Sequence, residues 1–181
     1  FGVFEIGMSK KGEIDNLSKL VKPHIAIITN IAEAHIENFK NLFDIAKAKS
    51  EIINNIEQSG YLILDRESKF YNFFKKKAKK RGIKIISVGY HNNADIQISN
   101  INRGQKIQKV KIRTSSDDYL LKNNGQHVKN IAFAVAILEI LNLKISKIEK
   151  KIKSIDNLEG RGRVFKIKYR KVNFNLIDES Y

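Results

Sequence analysis

Hydrophobic and polar positions along the first half of the chain switch repeatedly between two periods. Short apolar runs at Phe1 to Glu5, His24 to Thr29, Tyr61 to Leu64 and Ile83 to Val88 read as buried strands. Between them, Gly12 to Val21 carries Ile14, Leu17, Leu20 and Val21 at helical spacing. Asn41 to Ile56 does the same with Leu42, Ile45, Ala46, Ile52, Ile53 and Ile56, and Lys69 to Lys80 reads as a third helix. Strands that alternate with helices predict an α/β fold, a mostly parallel sheet flanked by helices on both faces. The pattern then changes. Ala94 to Ile101, Lys106 to Arg113 and Asp118 to Leu121 read as consecutive short strands with turns at Gly104 and Ser115-Ser116, which predicts a small antiparallel sheet. Two helices follow, His127 to Leu141 and Ile145 to Ile155. Strands at Val164 to Tyr169 and Val172 to Ile177, joined at Arg170-Lys171, close the chain and are expected to join the main sheet. No repeat and no disordered linker interrupts the pattern.

A chain of 181 residues suffices for one such domain. The absence of Cys excludes disulfides and thiolate metal sites. No apolar run approaches the roughly 20 residues of a membrane helix, so no membrane partner is expected. The balance of 34 Lys and Arg against 19 Asp and Glu gives a net charge of +15, which raises nucleic acid as a partner. The charge is mostly Lys, however, spread through FFKKKAKKRGIKI, ISKIEKKIKSI and FKIKYRK on the polar faces of amphipathic elements. That is the pattern of a solvated surface and argues against nucleic acid. A basic cleft also suits anionic small substrates.

Candidate chemistry gathers where strands end. In α/β sheets the loops after strand C-termini collect ligand-binding groups. Glu5 ends the first strand, Asn30 the second, and His35 lies on the loop that follows. Lys49 sits on the next helix and can face the same crevice. Glu5, His35 and Lys49 together would suit a magnesium and phosphate site, since Mg²⁺ prefers oxygen ligands. Each residue also has an ordinary alternative. Glu5 would cap a loop, Asn30 fix a turn, His35 bond to backbone, and Lys49 stay solvated beside Lys40 and Lys47.

The segments EIGMSKKGEI, TNIAEAHIENF and AKAKSEI, followed in order by NLEGRGRVFKI and NLIDESY, resemble the Mur ligases. These are ATP-dependent amide-forming enzymes of peptidoglycan synthesis. Within the family, the combination of GEI with AKAKSEI resembles members that join D-alanyl-D-alanine to UDP-N-acetylmuramoyl-tripeptide. The resemblance covers essentially the whole chain.

It implies roles residue by residue. Glu5 corresponds to the family's magnesium-binding glutamate. His35 corresponds to the histidine that helps hold a second magnesium near the ATP γ-phosphate, and Asn30 to an asparagine beside the phosphates. Lys49 corresponds to a lysine carbamylated by CO₂, which turns an ammonium into an anionic oxygen ligand. Lys47 points about 200° away around the helix and is expected to be exposed. The segment Asn123 to Asn130 resembles the family's adenine-contacting G-x-H-N-x-x-N. His127 matches its histidine, Val128 replaces the first Asn, and Asn130 falls one residue early, about 100° off. Gly162-Arg163 corresponds to the family's G-R, whose arginine contacts ATP phosphate, a role that suits the guanidinium fork. Asp178 and Glu179 correspond to an acidic pair that binds ribose. Relatives often carry Asp where Glu179 stands, which leaves Asp178 as the alternative.

The resemblance also sets expectations for the whole. The family's phosphate loop, G-T-x-G-K-[ST], does not occur in this sequence. Phe1 opens inside a strand pattern and Tyr181 follows one directly, so both ends look cut. The chain is expected to be most of a central ATP-binding domain. A UDP-binding domain and the phosphate loop would precede it, and a domain that receives the dipeptide would follow, in a bacterial cytoplasm. The implied cofactors are ATP and Mg²⁺, and the implied reaction runs through an acyl phosphate. Two alternatives stay open: another ligase of the superfamily, such as a folylpolyglutamate synthase, or a non-catalytic nucleotide- or nucleic-acid-binding module.

Overall fold

The computed structural model describes residues 1–33, 36–100, 108–123, 128–144, 163–170 and 172–178. The alternation read from the sequence is present. Helix α1 (Glu13–Val21) leads into β1 (Ile25–Ile28), α2 (Leu42–Lys49), β2 (Tyr61–Asp65), α3 (Tyr71–Lys80) and β3 (Lys84–Gly89). Strands β4 (Ile96–Asn100), β5 (Gln108–Arg113) and β6 (Asp118–Asn123) come next, followed by α4 (Val128–Ile140), β7 (Arg163–Tyr169) and β8 (Val172–Asp178).

Six strands form one sheet in the order β1-β2-β3-β4-β5-β6. The first three pairings are parallel and the last two antiparallel. Side chains alternate across it. Leu62 and Leu64 of β2 face Ala26, Ile28, Ala46, Ile53, Ile56 and Phe74, under α2 and α3. Ile63 faces the other way, into a layer with Val88, Ile96, Ile98, Val110 and Ile112 that α4 covers with Ala132, Phe133, Val135 and Ala136. Both faces are therefore dry, as a parallel sheet requires.

Three details depart from the sequence reading. First, Phe1 to Glu5 is not a strand. Residues 1–8 carry no regular structure, and Phe1, Val3 and Phe4 are exposed. A strand persists only while a neighbour pairs with it and its apolar faces are covered; among the described residues the outer edge of β1 is unpaired. Second, the consecutive strands between residues 94 and 123 do not form a separate layer. Val88 pairs with Ile96 in parallel and β5 pairs with the far edge of β4, so β4 extends the main sheet. Third, among the described residues β7 and β8 pair with each other as a small two-stranded antiparallel sheet and not with the main one. The expected helix Ile145 to Ile155 lies outside the described residues.

The helix read over Asn41 to Ile56 changes geometry partway. Asn41 caps its start, with its side-chain oxygen accepting from Asp44 N–H at 3.0 Å. After Lys49 the chain tightens into a 3₁₀ helix, Ser50–Asn55. The Ser50 hydroxyl donates to the Lys47 carbonyl at 2.6 Å, and the Lys77 ammonium takes the Ser50 carbonyl at 2.8 Å. Both compete with regular helical bonding.

Candidate active site

Strand β1 runs out at Ile28 and delivers Thr29 and Asn30, both exposed, beyond the sheet. Lys49 is the last residue of α2. Its ammonium donates to the Asn30 backbone carbonyl at 3.0 Å, so the structure brings these two residues together across 19 positions of sequence. Lys49 is half-buried between Ala48 and Ser50, which are both buried. Desolvation pushes its amine below the ordinary lysine value of 10.5. No carboxylate pairs with it among the described residues.

Lys47 shows the contrast. It is exposed, pairs with Asp44 at 3.2 Å, and lies 4.6 Å from the centre of the Phe43 ring. One lysine is therefore an ordinary solvated cation. The other is held against a strand end in a partly dry place. Desolvation enlarges the neutral fraction of the Lys49 amine, the form whose lone pair reacts with CO₂. That chemistry fits a carbamate, and a carbamate oxygen fits Mg²⁺.

The remaining candidates divide. Glu5 is exposed on the irregular segment 1–8, so it does not sit at a strand end as expected. His35, His127 and Glu179 lie outside the described residues. Asn130 is exposed in the first turn of α4. The β7–β8 register sets Arg163 directly opposite Asp178, which brings two expected nucleotide contacts to one end of that hairpin. Among the described residues, no group of three or more His, Cys, Asp or Glu is gathered for a metal ion. The full convergence of Glu5, Asn30, His35 and Lys49 thus reduces, within the described residues, to Asn30 with Lys49.

Sequence reading missed a second polar cluster. Asp65 ends β2 as Asn30 follows β1, and its two carboxylate oxygens accept from the Lys129 ammonium at 2.8 and 2.7 Å. Lys129, in the first turn of α4, also reaches Glu67 at 3.0 Å. Glu67 in turn accepts from the Tyr90 and His91 backbone N–H groups at 2.9 and 3.0 Å. The cluster ties the start of α4, which carries Asn130, to the C-terminal ends of β2 and β3. The signal available was an acidic residue directly after the apolar run YLIL. A groove of about 630 Å³, lined by Tyr61, Ile86, Asp95, Arg113 and Glu139 among others, contains none of the candidate residues.

Residues 1–138 match the family model of the Mur ligase middle domain. The chain is 29% identical over 185 residues to the UDP-N-acetylmuramoyl-tripeptide--D-alanyl-D-alanine ligase of Buchnera aphidicola subsp. Baizongia pistaciae, which it matches over 100% of its own length and 39% of the relative's. It is 31% identical over 186 residues to the enzyme of the same name from Escherichia coli, over 100% of this chain and 40% of that one. The crystal structure of MurF from Acinetobacter baumannii superposes with a TM-score of 0.84 at 27% identity, covering 99% of this chain and 38% of that one. The chain thus spans about two fifths of the length of the curated relatives it matches.

Proposed function

Since this chain belongs to the Mur ligase family, we propose that it is most of the central ATP-binding domain of a ligase that joins D-alanyl-D-alanine to UDP-N-acetylmuramoyl-tripeptide. The observation that carries the reading is the Lys49 amine, half-buried and held on the Asn30 carbonyl at the end of β1. Relatives of that name match the chain from end to end, which supports the choice of substrates.

In the reaction, the tripeptide carboxylate takes the γ-phosphoryl group of ATP, giving an acyl phosphate and ADP. The D-alanyl-D-alanine amine then attacks the carbonyl, and phosphate leaves with the C–O bonding pair. Magnesium, held by Glu5, His35 and carbamylated Lys49, would supply neutralisation of phosphate charge. The chain's own residues do the positioning, which is most of catalysis in phosphoryl transfer. Asn30 fixes the Lys49 side chain beside the strand end. Arg163 steadies phosphate through its guanidinium fork. Asp178 or Glu179 accepts from ribose hydroxyls, and His127 and Asn130 approach the base. Flanking domains of the same polypeptide would bring the phosphate loop, the UDP-sugar and the dipeptide, so this chain alone should make no product.

The test is a product assay on the full-length protein. With ATP, Mg²⁺ and UDP-N-acetylmuramoyl-tripeptide, D-alanyl-D-alanine should yield the pentapeptide by mass spectrometry, whereas L-alanine or glutamate should not. Turnover with one of the latter and none with D-alanyl-D-alanine overturns the reading.

A further inference from the structure

Two segments that resemble the family, GEI (Gly12 to Ile14) and SEI (Ser50 to Ile52), carry residues that play no part in the site described above. The structure joins them. Glu51 is 9% exposed, and its carboxylate turns away from Lys49 towards α1. Its two oxygens accept from the Gly12 backbone N–H at 3.0 Å each, and one accepts from Asp15 N–H at 3.3 Å. These amides lie at the N-terminus of α1, where donors have no partner within the helix and a carboxylate is favoured. Gly12 takes φ of 92°, a conformation that only glycine adopts without strain, so the amide can turn towards Glu51. Glu13 continues the clasp backwards. Its carboxylate accepts from Ser9 and Lys10 N–H at 2.7 and 3.0 Å.

The turn that carries Glu51 is pinned on its other side. Lys77 of α3 and Arg81, the residue that caps it, donate to the Ser50 and Ile53 carbonyls at 2.8 and 2.9 Å. A short stretch of backbone is thus fixed between two helices. One clasped end, Ser9, lies four residues from Glu5. The other, Glu51, lies two residues from Lys49.

We propose that Glu51 is a positioning residue that ties the turn after Lys49 to the first turn of α1, and so fixes where Lys49 presents a ligand for a divalent cation. This rests on the reading of Lys49 as a cation ligand. Glu51 touches neither ATP nor metal. It acts by holding the first turn of α1 against the turn that follows Lys49.

The test uses Glu51→Gln in the full-length protein, with Asn55→Ala as comparison. The glutamine keeps the shape but turns an N–H₂ towards the amides that the carboxylate accepted from. Asn55 also links the turn to α1, donating to the Asp15 carbonyl at 3.1 Å and the Ser18 hydroxyl at 2.8 Å, but it does not touch Gly12. Two quantities are read: hydrogen exchange at the Gly12 and Asp15 amides, and the Mg²⁺ concentration that half-saturates ATP binding by calorimetry. Loss of these charge-assisted bonds predicts exchange and half-saturating Mg²⁺ each raised about tenfold in Glu51→Gln. Asn55→Ala should lower the unfolding midpoint and leave the Mg²⁺ requirement alone. No Mg²⁺ requirement in the unsubstituted protein overturns the cation reading and the proposal with it. A requirement that Glu51→Gln leaves unchanged, or that Asn55→Ala shifts equally, overturns the proposal alone.

Discussion

Replacing Lys129 with Met removes a cation from between two carboxylates while keeping the apolar stem. The ammonium makes two contacts to Asp65, at 2.8 and 2.7 Å, and one to Glu67 at 3.0 Å. The three side chains are 31%, 15% and 34% exposed, so the cluster is neither dry nor fully wet. Breaking a fully buried pair costs about 3–5 kcal/mol, and an exposed pair is worth about 1 kcal/mol or less. The expected loss here is about 2 kcal/mol, within the range for hydrogen bonds to charged groups. With a urea m-value of about 2 kcal/mol/M, the unfolding midpoint should fall by about 1 M.

The loss should depend on pH in a stated direction. For Glu67, burial by itself raises the carboxyl, but bonds from Lys129 and the His91 N–H outweigh it and hold the group below its ordinary 4.5. Such a group stabilises the fold above 4.5, and the contribution disappears as pH falls through the lowered folded value. For Lys129, burial by itself lowers the amine, but Asp65 and Glu67 raise it above 10.5. Its contribution is complete below 10.5 and disappears as pH rises through the raised value. The gap between Lys129→Met and the unsubstituted chain should therefore be widest between these limits and close in strong acid. A midpoint shift under about 0.2 M at neutral pH, or a gap that persists unchanged in strong acid, refutes the reasoning.

Other outcomes follow from the same geometry. In the full-length protein, Lys49→Ala should cut turnover by about a hundredfold or more, with partial rescue by a short carboxylic acid, while Lys47→Ala changes little; equal losses from both would point to the wrong lysine. Carbamylation needs the neutral amine, so a ¹³C carbamate signal from labelled bicarbonate should grow as pH rises towards the lowered Lys49 value, and should vanish in Lys49→Ala. Phe74, on the buried face of α3, is 1% exposed, and Phe74→Ala should cost about 3–5 kcal/mol by denaturant unfolding. Phe43 is 42% exposed, and Phe43→Ala should cost well under half as much. A Cβ on Gly89 would displace the Glu67 carboxylate from the Tyr90 and His91 N–H groups, so Gly89→Ala should destabilise by about 1 kcal/mol in the same measurement.

How far the fold was legible depended on whether local pattern or long-range pairing decided each element. Strands β1, β2 and β3 and helices α1 and α3 were plain in the sequence, because their apolar spacing is set by the face each presents to the core. Phe1 to Phe4 has the same apolar look, but a strand also needs a neighbour, and no spacing reports whether one pairs. β4 carries a parallel partner on one edge and an antiparallel one on the other, and residues 96–100 alone do not distinguish the two. For the site, the family resemblance singled out Lys49, and helical geometry then set Lys47 on the far side of the cylinder. The contact of Lys49 with Asn30 was less accessible, and that of Lys129 with Asp65, 64 residues apart, was not accessible at all. Glu51 was visible as part of AKAKSEI. Only the fold shows that its carboxylate belongs to the start of α1.

The central proposal is that the full-length ligase containing this domain activates a peptide carboxylate as an acyl phosphate for capture by D-alanyl-D-alanine. The most direct measurement gives the full-length protein UDP-N-acetylmuramoyl-tripeptide with ¹⁸O in the reacting carboxylate, together with ATP, Mg²⁺ and D-alanyl-D-alanine. The account predicts that each pentapeptide formed is matched by one inorganic phosphate carrying one ¹⁸O atom, transferred when the carboxylate took the γ-phosphoryl group. Pentapeptide accompanied by unlabelled phosphate, or ATP cleaved with no pentapeptide at all, would contradict it.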